Sequence, residues 1–483
     1  MLLKHFFLNK IAHSSYILAG KNSCAVIDPQ RDIDFYINEA RTLGVDITHI
    51  FQTHLHADFV SGHMDLAQKT GAQIYVAKSA KCTFDHVALE EGDTVELEDM
   101  VIQVLETPGH TPEHLSYVVI DKSRSTSPVG VFVGDTLFVG DVGRPDLFPD
   151  LATELADKLY HSLHDKLLKL PDYVEVYPAH GAGSLCGRAM GAKWQSTIGY
   201  ERNYNSALQI KDKAEFIKSL IENMPPAPDH FSRCSDINRK GPALVAELPT
   251  MQELSPSAFQ EKLSRSECII LDTRSYHAFS SQHLKGAWHL DLNGNFPTFT
   301  GWVIPTGQDI LLVADDFKKA LEANLWARRV GMDRIVGYLD GGMVAWAVQG
   351  LITNHTGLIS AEELHDLLQT KKNLVLLDVR APLEFEESHI ESAVNIPVAE
   401  LRTRYNELDP SKTTVLICSS GNRSSLGVSI LKQHGFKYVI NVAGGMTGYS
   451  AAGYARECHA CLNPHGSRFF TNYNEVEKHF TKA

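Results

Sequence analysis

The chain has 483 residues, of which 43% are hydrophobic and 21% charged, and its formal net charge is −13 at pH 7. At roughly 150 residues per domain, this length predicts about three domains of ordinary globular composition. The negative charge argues against nucleic acid or an anionic membrane as a partner, because either would require a basic face.

Neither a membrane span nor a secretory signal is expected. Apolar runs fall short of the roughly 18–20 residues of a membrane span, and polar residues such as Lys4 and Asn9 interrupt the first apolar stretch. The eight cysteines are too few for a disulfide framework at this length. We therefore expect a reducing compartment, either the cytoplasm or an organelle matrix.

The first part of the chain alternates short strands, turns and a few helices. SSYILAG and SCAVIDP predict strands, DIDFYINEARTLGV predicts an amphipathic helix, and ITHIFQTH predicts a strand that ends at His54. HADFVSGHMDLAQKTG is predicted to be a helix closed by Gly71. We assign residues 1–235 to a first domain, ending near a linker in which Pro225 and Pro226 disfavour helix.

The remainder contains an internal repeat. IILDTRSYHAFSSQHLKGAWHL realigns with VLLDVRAPLEFEESHIESAVNI, so that Asp272 matches Asp378 and Arg274 matches Arg380. Each copy has the pattern strand–helix–strand–helix, which predicts a parallel sheet with helices. We assign one α/β domain to residues 250–352, another to residues 357–456, and a tail to residues 457–483.

Three segments of the first domain carry metal-ligand residues at predicted strand ends: THLHAD, ETPGHTPEH and VFVGDTLF. From them we select His54, His110 and Asp135 as ligands. Two imidazoles and one carboxylate can hold a divalent ion and leave positions open, as in the facial triad of non-haem Fe(II) oxygenases. The alternative is that all three are hydrogen-bonded loop residues.

The spacing of THLHAD, TPGHT, GDTLF and YPAHG resembles the metallo-β-lactamase superfamily, which implies an αββα sandwich. In dinuclear zinc members, a second metal would require Asp58, His180 and a histidine at the position of Phe59. A benzyl group cannot donate to a metal, so we expect one metal.

Within that superfamily, GDTLFVGDVGRPD and YPAHGAGS look most like persulfide dioxygenases. This resemblance implies one Fe(II) per chain on His54, His110 and Asp135. It also implies oxidation of a low-molecular-weight thiol persulfide by O₂ to sulfite. Zinc has no accessible redox change for such a reaction.

Further residues near these motifs are candidates for supporting roles. His56 and Asp58 are candidates to orient ligands or water by hydrogen bonds, with structural roles as an equal alternative, and His180 is expected near the metal without binding it. Arg144 matches a family position near the carboxylates of a glutathione-type substrate, with a surface salt bridge as the alternative. Cys186 is either a carrier of sulfane sulfur or a small buried hydrophobe. We interpret two other histidines as structural: His63 and His114.

VLICSSGNRSSLGVSIL predicts a strand, a tight turn and a helix. Cys418 opens the turn, where backbone N–H groups and the helix N-terminus favour a thiolate, and Arg423 adds a positive charge. The remaining loop residues are Ser419, Ser420, Gly421 and Asn422. The stretch resembles the active loop of rhodaneses, which implies sulfane-sulfur transfer through a Cys418 persulfide, with thiosulfate made or used. A phosphatase-like C-x₅-R loop would need one more intervening residue.

The middle copy departs from this pattern. Its loop reads LLVADDFKKA, with Ala314 at the position of Cys418, followed by Asp315 and Asp316. We expect a catalytically silent domain that serves as spacer or docking surface. In the tail, the pair C-x-x-C is either a redox pair or half a zinc site: Cys458 and Cys461.

Together these patterns predict an α/β multidomain enzyme that joins a persulfide dioxygenase to a sulfurtransferase. Its expected partners are a small thiol persulfide, O₂, and sulfite or thiosulfate; the family resemblance also admits a homo-oligomer. The first alternative is a zinc thioester hydrolase of the glyoxalase II kind fused to a sulfurtransferase. The second is a non-catalytic sulfur-binding or sensor protein. The thiol carrier (glutathione, coenzyme A or another) and the direction of the sulfurtransferase step stay open.

Overall fold

The computed structural model describes residues 1–222, 224, 227–370 and 373–454. Pro225 and Pro226 of the predicted linker lie outside the described residues, as do Cys458 and Cys461. The described chain divides into two compact units. One contains residues 1–252, 295–309 and 318–337, and the other contains residues 253–294, 310–317 and those from 338 onward.

The N-terminal part of the first unit is built on two mixed sheets. The first sheet has the order β1 (Leu2–Leu8), β2 (His13–Ala19), β3 (Ser23–Ile27), β4 (Asp46–Phe51), β5 (Gln73–Ala77) and β6 (Val87–Leu89). The second sheet contains β7 (Thr94–Leu97), β8 (Met100–Glu106), β9 (Leu115–Asp121), β10 (Pro128–Gly134), β11 (Glu175–Pro178) and β12 (Ser196–Thr197). Its strand order runs from β12 to β7.

Seven helices of the described residues pack around these sheets. They are α1 (Asp34–Leu43), α2 (His63–Thr70), α3 (Ala152–His161), α4 (Ile198–Tyr204), α5 (Ser206–Gln209), α6 (Lys213–Ile221) and α7 (His230–Lys240). The two-residue period of β2 explains the layering, because Tyr16 and Leu18 enter the core between the sheets whereas Ile17 packs in the cluster containing α1 and α2. A third cluster joins α3 and α6 to the other sheet. The αββα sandwich expected from the resemblance is confirmed.

The segment after β4 differs from the sequence prediction. Helix α2 begins only at His63, so the preceding residues of HADFVSGHMDLAQKTG form an irregular loop. Their N–H groups bond elsewhere: Val60 donates to the Arg329 carbonyl at 2.7 Å and Gly62 to the Pro29 carbonyl at 3.0 Å. These partners are distant in sequence, which explains why the local pattern overestimated the helix.

The two repeats each supply a five-stranded sheet. The middle sheet has the order β13-β17-β16-β14-β15, and the last sheet has the order β18-β22-β21-β19-β20. The strands are β13 (Gln252–Leu254), β14 (Cys268–Asp272), β15 (Trp288–His289), β16 (Asp309–Val313), β17 (Ile335–Leu339), β18 (Gly357–Ile359), β19 (Leu374–Asp378), β20 (Ala393–Asn395), β21 (Thr413–Ile417) and β22 (Val439–Val442). The two orders correspond strand for strand, as the internal repeat predicts.

The helices of the repeats alternate with these strands. In the middle repeat they are α8 (Pro256–Arg265), α9 (Tyr276–Ser281), α10 (Phe296–Val303), α11 (Phe317–Arg329) and α12 (Gly342–Val348). In the last repeat they are α13 (Ala361–Thr370), α14 (Pro382–Glu387), α15 (Val398–Arg404), α16 (Asn422–Gln433) and α17 (Gly445–Ala451). All pairings in the last sheet are parallel. None of the helices in the described part of the chain has the length and apolarity to span a membrane.

Candidate metal centre and sulfur loop

The three selected ligands converge at the ends of strands in the N-terminal sandwich. His54 follows β4, His110 lies between β8 and β9, and Asp135 follows β10. One potential ligand atom from each lies within 4.8 Å of the others, and all three side chains are buried. The Oδ2 atom of Asp135 is 3.3 Å from Nε2 of His110 and 3.8 Å from Nε2 of His54.

The hydrogen bonds of both imidazoles leave their Nε2 atoms available. The Thr53 hydroxyl donates to Asp28 at 2.9 Å and therefore accepts from Nδ1 of His54 at 2.9 Å. Nδ1 of His110 donates to the Arg144 carbonyl at 2.9 Å. Among the described residues, neither Nε2 atom has a hydrogen-bond partner. An N–H fixed on Nδ1 is the arrangement that orients an imidazole to bind a metal through Nε2.

The protonation states also suit a cation. Burial, above all, lowers the pKa values of His54 and His110, so both imidazoles are neutral near pH 7. Burial opposes the charge on Asp135, but His180 and the other imidazoles hold the pKa of this carboxyl well below its ordinary value. Neutral imidazoles and a carboxylate are the forms in which these residues bind metals.

Asn238 of α7 holds the loop between β4 and α2, which contains the candidate ligand His54. Its side-chain oxygen accepts from the Ser61 N–H at 2.8 Å, and its amide nitrogen donates to the carbonyls of His56 and Phe59, each at 2.8 Å. Gly62 closes the loop, and a Cβ there would lie 2.2 Å from the Gln30 carbonyl oxygen. Sequence reasoning missed Asn238, because no local motif connects it to the distant histidines.

The candidates for supporting roles surround the three ligands. Nε2 of His56 lies 3.0 Å from Oδ1 of Asp28. His180 is placed between two carboxylates, with Nδ1 2.8 Å from Asp135 and Nε2 2.9 Å from Asp58. Burial opposes a charge on His180, but these carboxylates raise the pKa of its imidazole well above the ordinary value.

Cys186 joins this group. Its Sγ and ligand atoms of Asp58 and His180 lie within 4.8 Å of one another. The thiol is buried, and burial followed by the charges of Asp135 and Asp58 raises its pKa well above the ordinary value. The structure therefore brings the thiol to the candidate metal centre in its protonated form, and its predicted role as a sulfur carrier stays a prediction.

Phe59 fills the position at which a second-metal histidine would be expected. Its ring is fully buried and packs on His56 and His13 with centroid distances of 4.5 and 4.1 Å. Both ring nitrogens of His13 are without hydrogen-bond partners among the described residues. His13 was missed in the sequence because it stands at the start of β2, away from the recognisable motifs.

Arg144 and His114 are both hydrogen-bonded to neighbouring residues in the structure. The Arg144 guanidinium is buried and forms a bidentate pair with Asp146 at 2.7 Å for both bonds, and Nη1 also donates to the Leu185 carbonyl at 3.2 Å. A substrate carboxylate would have to compete with Asp146 for this group. Nε2 of His114 accepts from the Asp135 N–H at 3.0 Å, which places His114 in a supporting position behind the ligands.

A small cleft of about 20 Å³ lies beside this group of residues, with Asp58 in its lining. It is lined by Lys10, Ile11, Gly183, Ser184, Leu185, His230, Phe231 and Thr298. Its lining combines a cation, a carboxylate, hydroxyls and apolar side chains.

Cys418 lies directly after β21 and is the first residue of the loop 418–423, which we call the sulfur loop. The Gly421 N–H donates to its Sγ atom at 3.1 Å, and the Ser424 hydroxyl donates at 3.3 Å. The carbonyls of Cys418 and Ser419 accept from the N–H groups of Met446 and Thr447, at 2.7 and 3.0 Å. The loop thus points donors at the sulfur while its own carbonyls are bound to the start of α17.

Arg423 has a partner that sequence reasoning missed. Its guanidinium forms a bidentate pair with Glu384 at 2.6 and 2.7 Å and also donates to the Ser419 hydroxyl at 2.6 Å. Burial opposes the charge of Glu384, but the bonds and charge of Arg423 lower the pKa of this carboxyl to about 2. The positive charge predicted beside Cys418 is therefore balanced by a carboxylate.

The other loop residues lie at or just before the start of α16. Gly421 adopts a φ of +103°, as the helix N-cap of α16, and Asn422 begins that helix. Ser420 is exposed. In the middle repeat, Ala314 is buried where the last repeat has its cysteine.

Comparisons with known proteins identify two kinds of domain in this chain. The family model "Metallo-beta-lactamase superfamily" matches residues 8–180, and "Rhodanese-like domain" matches residues 255–349 and 360–452. A solved metallo-beta-lactamase from Staphylococcus aureus is 32% identical, with a TM-score of 0.64, over 70% of this chain and 98% of that protein.

The curated relatives include a persulfide dioxygenase and a hydroxyacylglutathione hydrolase. Persulfide dioxygenase ETHE1, mitochondrial, of Bos taurus is 29% identical over 240 residues, which are 48% of this chain and 85% of that protein. Hydroxyacylglutathione hydrolase of Nostoc punctiforme is 34% identical over 164 residues, which are 33% of this chain and 60% of that protein.

Proposed function

This chain belongs to the metallo-beta-lactamase superfamily and carries two rhodanese-like domains, and we propose that it is a bifunctional enzyme that oxidises persulfides and transfers sulfane sulfur. Its homology supports a role in sulfur metabolism. In the proposed oxidation, R–S–SH, O₂ and water give R–SH, sulfite and two protons. The R group is a low-molecular-weight thiol such as glutathione or coenzyme A.

The observation that carries the first activity is the pair of Nε2 atoms that face Asp135 and have no hydrogen-bond partner among the described residues. His54, His110 and Asp135 would hold one Fe(II) per chain. A bound Fe(II) would supply open positions for sulfur and O₂ together with a redox change that zinc lacks. The protein's part is to keep both Nδ1 atoms bonded to oxygen acceptors and to exclude water from the buried ligands.

His180 and Cys186 extend the centre toward the cleft. The carboxylates of Asp58 and Asp135 can hold a proton on each ring nitrogen of His180. Cys186 lies beside them, where a sulfane sulfur could be received. Arg144 remains a candidate for orienting a substrate carboxylate, in exchange for its bond to Asp146.

Phe59 favours this oxidation over hydrolysis by a pair of zinc ions. Its buried benzyl ring removes one donor from the position of a second metal. Nε2 of His180 instead lies 2.9 Å from the Asp58 carboxylate, with Cys186 beside them. A glyoxalase II-like hydrolase would need a second metal to bind Asp58 and His180 without a donor at position 59.

The second activity rests on Cys418. Its thiolate attacks the outer sulfur of thiosulfate, the sulfur–sulfur bond breaks, and sulfite leaves with the electron pair, so that Cys418 becomes a persulfide. The Gly421 N–H and Ser424 hydroxyl stabilise negative charge on the sulfur. The reverse reaction would combine sulfite with the persulfide and release thiosulfate. Tethering both activities raises the effective concentration of their shared intermediates.

The test uses the full chain loaded with iron and supplied separately with glutathione persulfide and coenzyme A persulfide. We expect about one iron per chain, O₂ uptake, and sulfite that becomes thiosulfate only when Cys418 is present. Two zinc ions with thioester hydrolysis and no O₂ uptake would instead establish the hydrolase. Absence of both turnover and Cys418-dependent thiocyanate formation from thiosulfate and cyanide would leave a binding or sensor protein.

A further inference from the structure

A tyrosine from the middle repeat lies against the sulfur loop of the last repeat. Tyr276 is the first residue of α9, and its ring covers Gly421, where an added Cβ would lie 2.9 Å from the Cζ atom of Tyr276. Gly421 is the residue whose N–H donates to the Cys418 sulfur at 3.1 Å. The ring therefore packs against the residue whose N–H donates a hydrogen bond to the Cys418 sulfur.

The hydroxyl of the same tyrosine reaches the other side of the loop. It accepts from the Gly444 N–H at 3.3 Å, immediately before α17. The next residues of α17 bind the loop through the Met446 N–H, which donates to the Cys418 carbonyl at 2.7 Å. Tyr276 therefore contacts both segments that fix the position of the sulfur atom.

This contact is supported by other bonds between the two repeats. The His289 N–H donates to the Ser429 hydroxyl on α16 at 3.1 Å, and the Gln433 side chain donates to the Gly286 carbonyl at 2.7 Å. The helix that begins beside Gly421 is thus held along its length by the middle repeat. A half-buried ring in such an anchored contact has little freedom to leave Gly421.

The middle repeat has lost the parts needed for its own sulfur chemistry. Ala314 occupies the place of the cysteine, and the repeat alignment sets Ala278 against Glu384, the partner of Arg423. The same alignment sets Tyr276 against Pro382. The residue that contacts the neighbouring loop is therefore a feature of the middle copy and not part of the shared pattern.

We propose that Tyr276 is a positioning residue for Cys418, through which the middle repeat sets the geometry of the sulfur loop. This rests on the proposed sulfur transfer by Cys418. With the ring in place, Gly421 keeps its N–H directed at the sulfur and favours the thiolate and the persulfide anion. Without it, the loop gains room at Gly421 and that hydrogen bond weakens.

The test compares Tyr276→Ala and Tyr276→Phe in the full chain, with Phe317→Ala as the matched control. Phe317 is a partly exposed aromatic residue of the same repeat whose ring stacks on Tyr338. Iodoacetamide alkylation of the Cys418 peptide is followed by mass spectrometry as a function of pH. Thiosulfate:cyanide sulfur transfer supplies kcat and KM separately, and thermal unfolding shows whether each variant is folded.

For Tyr276→Ala, we expect the pH midpoint of Cys418 alkylation to rise by about one unit and kcat to fall about tenfold, as for loss of one charge-assisted hydrogen bond. Tyr276→Phe keeps the ring and should restore the wild-type midpoint, and Phe317→Ala should leave it unchanged. If Tyr276→Ala does not fold, Tyr276→Leu replaces it in the same comparison.

An unchanged midpoint in a folded Tyr276→Ala or Tyr276→Leu protein would overturn the positioning role, as would an equal shift in Phe317→Ala. The proposed function is judged separately with Cys418→Ser. If the wild-type protein shows no Cys418-dependent sulfur transfer, that function fails, while the alkylation midpoint still decides the role of Tyr276.

Discussion

Replacement of Gly143 by alanine tests whether the three candidate ligands act as one geometrical unit. A Cβ at Gly143 would lie 1.9 Å from the Asp135 carbonyl oxygen and 3.1 Å from the Cβ of His110. Because non-bonded heavy atoms normally stay about 3.5 Å apart, the carbonyl must move by more than about 1 Å. A ligand constellation tolerates displacements of only about 0.5 Å. We expect metal affinity to fall about 10–100-fold, with about 1–3 kcal/mol of lost stability from overpacking.

The assay is titration of the full chain with Fe(II), and in parallel Zn(II), against a competing chelator. Gly181→Ala is the matched control, because it lies next to His180 but its added Cβ would meet no atom nearer than 3.4 Å among the described residues. Thermal unfolding of both variants separates local displacement from global unfolding. Wild-type metal affinity in folded Gly143→Ala would refute the assignment of Asp135 and His110 to one metal centre.

Phe59→His should raise bound zinc from about one to about two ions per chain, because it supplies the missing donor; elemental analysis that still finds one zinc would contradict this. Cys418→Ser should abolish thiosulfate:cyanide transfer but keep O₂ uptake with a thiol persulfide within about twofold, since a hydroxyl is a far weaker nucleophile than a thiolate. Asn238→Ala should lower the free energy of unfolding in urea by about 2–3 kcal/mol, because three buried backbone groups lose their partner; a loss below about 0.5 kcal/mol would count against its role in holding the loop. Glu384→Gln should cost about 1 kcal/mol through its partly exposed pair with Arg423. Since the folded pKa of Glu384 is lowered to about 2, this stabilisation is full above the unfolded value of about 4.3 and is lost as pH falls through about 2. Thermal unfolding of both proteins from pH 7 to pH 3 should show the difference shrinking only below about pH 4.

The sequence predicted those parts of the site that depend on strand ends. His54 and Cys418 each follow an apolar strand, and the carboxyl ends of such strands meet where sites form. The repeat likewise predicted two sheets, and the structure gives them the same strand order. Hydrophobic period and turn residues carry this information locally, so a single sequence is enough to read it.

The partners of these residues could not be predicted, because they come from distant segments. Asn238 holds the ligand loop from α7, and Glu384 neutralises Arg423 from α14. Tyr276 belongs to the other copy of the repeat altogether. Hydrogen bonds between distant elements produce no periodic pattern or fixed spacing in the sequence. They nevertheless determine the charge balance and the rigidity of both sites.

The burial of the candidate metal ligands has a consequence for the timing of turnover. His54, His110 and Asp135 are each at most 1% exposed, and none of them lines the small cleft beside Asp58. In the proposed oxidation, a thiol persulfide would have to displace buried side chains to reach these residues, which would make its admission a gated step. Turnover should then slow in viscous solvent, and the same burial would keep the persulfide away from thiols in the surrounding water.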